Sequence, residues 1–167
     1  MTLPAEIPRM AFVEAQVLQH PMTLEACRSV IPEIERQYQV PTGSLGDGIF
    51  YQSRILSLLY TLIVFPKEVW SLDQADPLYD EVSKKVDIDG FVVRSGRQDF
   101  KDPHYNLVHR IRNAVAHANI EFKEPNIIFQ DRNGWQATAS LEVVWRFLTE
   151  IGAIMANLRN SRTITRN

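Results

Sequence analysis

The stretch HYNLVHRIRNAVAHANIEF, residues 104–122, decides the fold of this 167-residue chain. It contains three of the four histidines, and its apolar residues recur at helical spacing before they change to the alternation typical of a strand. Asp102 and Pro103 precede it, and this pair favours a helix start, because aspartate caps a first turn and proline suits the first helical position. The stretch therefore predicts a helix that leads directly into a strand.

Arg112 and His117 are the two chemically informative side chains of this helix, and the polar Asn113 follows the arginine. Arginine offers a planar fork of donors that fits a phosphate, whereas histidine exchanges protons near neutral pH. Five positions separate the two by about 140° around the helix axis and about 7.5 Å along it, so one helix does not readily bring them together. A second copy related by a twofold axis would do so more easily, which predicts an isologous homodimer.

The same helical geometry assigns the remaining positions. The stripe that faces the core is expected to contain Leu107, Ile111, Ala114 and Ala118, with Val108 and Val115 at its shoulder. The opposite face is expected to contain His109 and Asn113, and the small Ala116 between them permits close approach of a partner helix. Arg110 lies seven residues before His117, shares its face and could make a second phosphate contact. A lone Arg or His on a helix face is more often a solvated charge, so a purely structural dimer stays open.

The rest of the chain predicts a helical bundle. Helices are expected over 8–20, from Thr23 to Tyr38 with a kink or break at Pro32, over 49–65 with Asp47 as cap and Pro66 as terminator, over 77–86, and over 141–158 after a Ser140 cap. Strands are expected at 120–122, 126–130 and 135–138, with a hairpin turn at 133–134 and a short extended piece at 91–94. The predicted fold class is mainly α: an antiparallel helical bundle with a small β-hairpin before the last helix. We expect one domain over 1–167, frayed from about residue 159.

Composition and charge narrow the functional classes. Hydrophobic residues make up 45% of the chain and charged residues 23%, as in soluble globular proteins. The longest apolar run, 55–65, is too short to span a bilayer, and the chain has no recognisable secretory signal. The single cysteine, Cys27, excludes an internal disulfide and fits a reducing compartment. We therefore expect a cytoplasmic protein without membrane association.

The net charge of −2 is unevenly distributed. Residues 1–93 contain 7 Lys/Arg and 13 Asp/Glu, whereas residues 94–167 contain 11 and 7. The positive part contains Arg112 and His117, where a phosphate-rich partner could dock. Paired carboxylates elsewhere are more typical of loop and cap residues than of a metal site, and the glycine cluster at 42–48 lacks the rest of a P-loop. No metal or other cofactor is expected.

The string RNAVAH, residues 112–117, resembles the R-polar-x-x-x-H signature of the HEPN superfamily. Its place near the end of a long bundle helix, before a hairpin and a final amphipathic helix, is similar to that family. The resemblance covers about residues 20–160 and is sharpest over 105–120. It implies a compact helical bundle that dimerises and, in catalytic members, cuts RNA without a metal. Such proteins act as toxins or defence effectors, often beside a neutralising antitoxin protein.

Carried over residue by residue, the resemblance implies that Arg112 neutralises the scissile phosphate and that His117 acts as general acid or base. Asn113 would orient the histidine or bind phosphate. Outside the motif, His109 and Arg110 on the same helix are candidate contacts to RNA. Some toxins of the family have a tyrosine two residues after the histidine, which a partner enzyme modifies, but this chain has Asn119 there. That mode of control is not implied here. A non-catalytic module that binds nucleotide, RNA or a partner protein stays open as the alternative.

Overall fold

Helices dominate the chain, as the hydrophobic pattern predicts. The computed structural model describes residues 3–43, 47–70, 77–95 and 101–157. The helices are α1 Leu3–Gln19, α2 Pro21–Gln37, α3 Asp47–Leu59, α4 Phe65–Trp70, α5 Pro77–Lys85, α6 Pro103–Ala116 and α7 Leu141–Asn157, with a π-helical turn, Tyr60–Val64, joining α3 to α4. The strands are β1 Val92–Ser95, β2 Ile120–Lys123, β3 Asn126–Gln130 and β4 Gln136–Ser140. The mainly α class is confirmed.

The helical run from α3 through the π-helical turn to α4 lies in the middle of the core. Ile55, Leu59 and Leu62 on this run are almost fully buried, and its π-helical turn packs against α6. The expectation that Pro66 ends the helix is wrong, because α4 continues through it to Trp70. The π-helical turn widens the helix just before the proline and relieves the clash of its ring with the preceding turn.

Helix α2 also differs from its prediction at both points where the sequence suggested a boundary. It begins at Pro21 rather than after a Thr23 cap, with the backbone N–H of Met22 donating to Nδ1 of His20 at 3.4 Å. Pro32 does not divide it, and the helix continues to Gln37. An exposed helix tolerates an interior proline better than a buried one, since water can replace the missing hydrogen bond.

The strands form one antiparallel sheet in the order β1-β4-β3-β2. The three predicted strands after α6 are confirmed, and the short extended piece is β1, which pairs with β4 and makes the sheet larger than the predicted hairpin. The connection from β3 to β4 is not a two-residue turn, because Gln130 pairs with Gln136. The backbone N–H of Asp131 donates to the carbonyl of Trp135 at 3.0 Å and closes a five-residue loop that includes Gly134 at φ 72°.

Helix α7 begins where the sequence predicts it. Ser140 Oγ accepts the N–H of Val143 at 3.2 Å, which confirms the predicted cap of α7. Helix α3 begins at Asp47, whose predicted side-chain cap lies outside the described contacts, and the tail from residue 159 lies outside the described residues. Among the described helices, none is both long enough and apolar enough to cross a membrane.

Candidate functional site

Helix α6 positions every residue that the sequence singled out. Asp102 caps its start, where Oδ1 accepts the N–H of Tyr105 at 2.9 Å and Oδ2 accepts the hydroxyl of Ser83 at 3.0 Å. The helix ends at Ala116 because Ala118 adopts a left-handed conformation, with φ 55°. The chain then turns immediately into β2. The predicted helix leading into a strand is therefore confirmed.

The buried side of α6 follows the predicted stripe with one exception and three additions. Leu107, Ile111 and Ala114 are buried, as expected. Ala118 is exposed, because the helix has already ended there. The additions are Tyr105 and two polar residues, Asn106 and Arg110. An arginine on the buried side of a helix requires a partner for its charge.

Arg110 finds that partner in Asp131, at the start of the loop between β3 and β4. Its Nη1 donates to Oδ2 of Asp131 at 2.7 Å, and the side chains of the two residues are 4% and 2% exposed. The sequence placed Arg110 on the face of His117, as a second contact to phosphate. Its guanidinium instead faces a buried carboxylate in the described chain, so the predicted RNA contact is not at the surface.

Asn113 links this buried pair to Arg112. Its Nδ2 donates to the same Oδ2 of Asp131 at 3.1 Å, and its Oδ1 accepts from Nη1 of Arg112 at 2.8 Å. Arg112 is half-buried. The guanidinium that the sequence assigned to phosphate binding is therefore tethered, through an amide, to a carboxylate on the neighbouring sheet.

Asp131 is the residue of this cluster that the sequence reasoning missed. Burial acts to raise its pKa, but the hydrogen bonds from Arg110, Asn113 and the N–H of Arg132 outweigh burial and hold the pKa of the carboxyl below its ordinary value. The carboxylate is therefore ionised at neutral pH. An aspartate directly after a β-prone run was the available signal, but its partner lies 21 residues earlier on another element.

His109 lies beside the same cluster on the outer side of α6. Its ring stacks on Tyr105, with centroids 5.9 Å apart and planes inclined by 28°. Burial, together with the positive charges of Arg112 and Arg110, lowers the pKa of its imidazole. The side chain is half-buried and uncharged at neutral pH, so it can offer a hydrogen bond or a stacking surface to RNA but no positive charge.

His117 occupies a different environment at the end of α6. It is the C-cap residue, its N–H donates to the carbonyl of Asn113 at 3.0 Å, and its side chain is exposed. Within the described ranges, the imidazole has no hydrogen bond or ion pair. The structure thus brings Arg110, Asn113 and Arg112 together in one network but leaves His117 outside it.

An open apolar groove lies next to this end of the helix. It has a volume of about 620 Å³ and is lined by residues of α3, the π-helical turn, the end of α6 and β2, among them Tyr60, Thr61, Val115, Ala118 and Phe122. Two of these residues, Val115 and Ala118, flank the segment that contains Ala116 and His117. The surface around the histidine is therefore apolar on one side.

The arrangement provides one tethered cation and one exposed proton carrier. A guanidinium held by a neutral amide keeps its positive charge and can stabilise an anion. An exposed imidazole can transfer protons once a ligand or a neighbouring chain orients it. The described residues contain no group of three or more His, Cys, Asp or Glu side chains that could hold a metal ion.

Comparison with known proteins gives one match. A protein-family model described as HEPN pEK499 p136 matches residues 14–162, most of the chain. Searches of curated proteins and of solved structures found no match. The matched span contains α6, the whole sheet and α7, and with them every residue of the network described above.

Proposed function

Because the chain belongs to the HEPN pEK499 p136 family, we propose that it is a metal-independent endoribonuclease of the toxin or defence type. HEPN domains include ribonucleases and nucleotide-binding modules, and they commonly dimerise and bind RNA. The observation that carries the catalytic proposal is the tethered guanidinium of Arg112, five residues before the exposed His117 at the C-cap of the same helix.

The proposed reaction is attack by a ribose 2′-hydroxyl on the adjacent phosphate, which would yield a 2′,3′-cyclic phosphate and a free 5′-hydroxyl. The phosphate gains negative charge in the transition state, and Arg112 would stabilise it. His117 would remove the proton of the attacking hydroxyl or donate one to the leaving oxygen. Asn113 would hold the guanidinium toward the phosphate. DNA lacks the 2′-hydroxyl and would not be cut by this route.

A homodimer is part of this proposal. Arg112 is held by Asn113 on the half-buried outer side of α6, whereas the imidazole of His117 projects from the helix end with no hydrogen bond or ion pair in the described part of the chain. Residues of two chains, meeting across the exposed Ala116, would then form each site. We further propose that the protein acts in the cytoplasm and that a neutralising antitoxin protein covers the site.

The test is cleavage of RNA by the purified protein in the presence of EDTA. We expect 2′,3′-cyclic phosphate ends. Arg112→Ala should lower the cleavage rate by about 100-fold or more through loss of charge stabilisation, and His117→Ala by about 100- to 10,000-fold through loss of general acid–base catalysis. His117→Ala should keep the thermal unfolding midpoint of the wild type, because the side chain is exposed. Cleavage that requires a divalent metal, or that survives both substitutions, contradicts the proposal.

The alternative is a non-catalytic HEPN module that binds nucleotide, RNA or a partner protein through the same surface. The observation that favours it is the exposed imidazole of His117, which nothing in the described chain orients. This module would show an RNA-dependent rise in the unfolding midpoint without turnover, and Arg112→Ala would abolish that rise.

A further inference from the structure

We propose that Asp131 is a positioning residue of this site, which holds the Asn113 amide in the orientation that presents its oxygen to Arg112. The proposal rests on the ribonuclease function proposed above. It assigns to a loop of the sheet a role in the chemistry of a helix.

The orientation of the Asn113 amide follows from its two neighbours. A carboxylate only accepts hydrogen bonds and a guanidinium only donates them. The amide must therefore turn its NH2 group toward Asp131, at 3.1 Å, and its oxygen toward Arg112, at 2.8 Å. The reverse orientation would place two acceptors against each other on one side and two donors on the other. Only Asp131 supplies the acceptor that selects this orientation in the described contacts of the amide.

The carboxylate is itself held firmly. Its Oδ1 accepts the N–H of Arg132 at 2.7 Å, and its Oδ2 accepts from Arg110 at 2.7 Å. The N–H of Asp131 donates to the carbonyl of Trp135, which fixes the backbone of the loop. Buried, charge-assisted hydrogen bonds of this kind are short and directional. The loop thus provides a rigid acceptor, and the rotation of the amide is set from outside the helix.

The described link between Asp131 and Arg112 runs through a neutral amide. Arg110 takes the charge of Asp131, and the amide, held by the carboxylate, directs its oxygen to Arg112. A displacement of a positioned group by about 1 Å can cost about 100-fold in rate, so loss of this link should be visible in catalysis.

The competing explanation is that Asp131 serves only to stabilise the fold by pairing with Arg110. The two explanations differ in how Asp131 and Asn113 combine. If Asp131 acts through the amide, removal of Asn113 leaves nothing for Asp131 to position, and the two losses of activity do not multiply. If Asp131 only stabilises the fold, its removal does not change the rate of the folded fraction.

The experiment uses Arg110→Met as the background, so that replacement of Asp131 does not leave a buried arginine without its carboxylate. In this background, Asp131→Leu has a similar volume but no acceptor, whereas Asp131→Asn retains an oxygen that can accept from Asn113. We expect Asp131→Leu to lower kcat for an RNA oligonucleotide by about 10- to 100-fold with little change in KM, and Asp131→Asn to restore most of the loss. Asn113→Ala should lower kcat similarly. The double variant, Asp131→Leu with Asn113→Ala, should have a kcat no lower than that of either single variant.

Two controls keep the outcome interpretable. Asp87→Asn breaks the Arg146–Asp87 pair, whose atoms are 2.9 Å apart outside the network, and should not change kcat. The NMR signal of the Arg112 Nε–H group reports the guanidinium without any cleavage. It should shift with Asp131→Leu and with Asn113→Ala but not with Asp87→Asn.

The outcomes separate this proposal from the proposed function. If the wild type cleaves no RNA and the Arg112 signal still shifts as described, the ribonuclease function fails and the positioning role stands. If the wild type cleaves RNA and Asp131→Leu retains the background rate, or if the two losses multiply, the positioning role is overturned. An Arg112 signal that Asp131→Leu leaves unchanged also overturns it.

Discussion

The two sides of α6 place two arginines, only two residues apart, in opposite environments. Arg110 lies on the buried side with its charge matched by Asp131, and both side chains are almost completely excluded from solvent. Arg112 lies on the half-buried outer side, held by the oxygen of Asn113. Two identical side chains on one helix thus lie in different environments, one paired with a carboxylate in the core and one half-buried and held by a side-chain amide. The position of each arginine relative to the sheet, rather than its residue type, decides its environment.

The largest expected effect comes from the same substitution at Arg110 and at Arg112, which tests whether their environments differ. Arg110→Met removes one partner of a buried ion pair and should lower the free energy of unfolding by about 3–5 kcal/mol. Arg112→Met removes the half-buried hydrogen bond to Asn113, which is worth about 1 kcal/mol, and should cost less stability than Arg110→Met; under the proposed function it should also abolish RNA cleavage. Urea unfolding of both variants measures the difference. Equal losses of stability would show that the two sides are not distinct.

The sequence predicted most of this helix but not the division between its arginines. The caps at Asp102 and Ser140, the buried stripe of Leu107 and Ile111, and the strands after residue 119 all follow from local patterns, which a sequence displays directly. Arg110 lies only about 40° from Ala114 around the helix axis, at the edge of the predicted core stripe. A charged residue at such an edge is ordinarily assigned to the solvent side of a helix.

The cluster itself depends on a contact across the fold. Asp131 meets α6 only because β3 pairs with β2 and ends beside the helix, with Gln130 donating its N–H to the carbonyl of Asn119 at 3.0 Å. Pairing register and tertiary approach of this kind are not encoded in the residues around Asp131. The prolines at positions 32 and 66 do not divide their helices, because water can replace the missing hydrogen bond at the exposed Pro32 and the π-helical turn relieves the clash at Pro66.

The pH dependence of stability provides a smaller test on the outer side of α6. The pKa of His109 is lowered by burial and by the charges of Arg112, Arg110 and Lys67, against the opposing charge of Asp131. The unfolded chain therefore binds a proton more readily than the folded chain. The stability associated with this group is complete above its unfolded pKa of about 6.5 and is lost as the pH falls below it.

His109→Gln should therefore flatten the fall in stability between about pH 7 and pH 5. The effect should be smaller than the loss caused by Arg110→Met. Thermal unfolding midpoints of the wild type and the variant across this range measure it. A slope that is the same in the wild type and His109→Gln would contradict the assigned environment.

The smallest expected effect on stability concerns Ala118, the residue after His117. Ala118 has φ 55°, a conformation that costs a residue with a Cβ atom about 1–2 kcal/mol. Ala118→Gly removes that cost and adds the greater backbone entropy of glycine, so we expect a net gain of about 0.5 kcal/mol in the free energy of unfolding. Urea unfolding measures it. A loss of stability would indicate that the methyl group contributes more to the groove than the backbone strain costs.

The π-helical turn Tyr60–Val64 has a consequence for how this chain aligns with its relatives. Such a turn holds one more residue than an α-helical turn, and here it lets Tyr60 and Thr61 line the groove while Leu62, Ile63 and Val64 are all buried. Deletion of one residue would rotate everything after it by about 100° relative to α6. A relative without this turn would therefore align with a single-residue gap inside a helix, and that gap would mark a different groove beside the same motif.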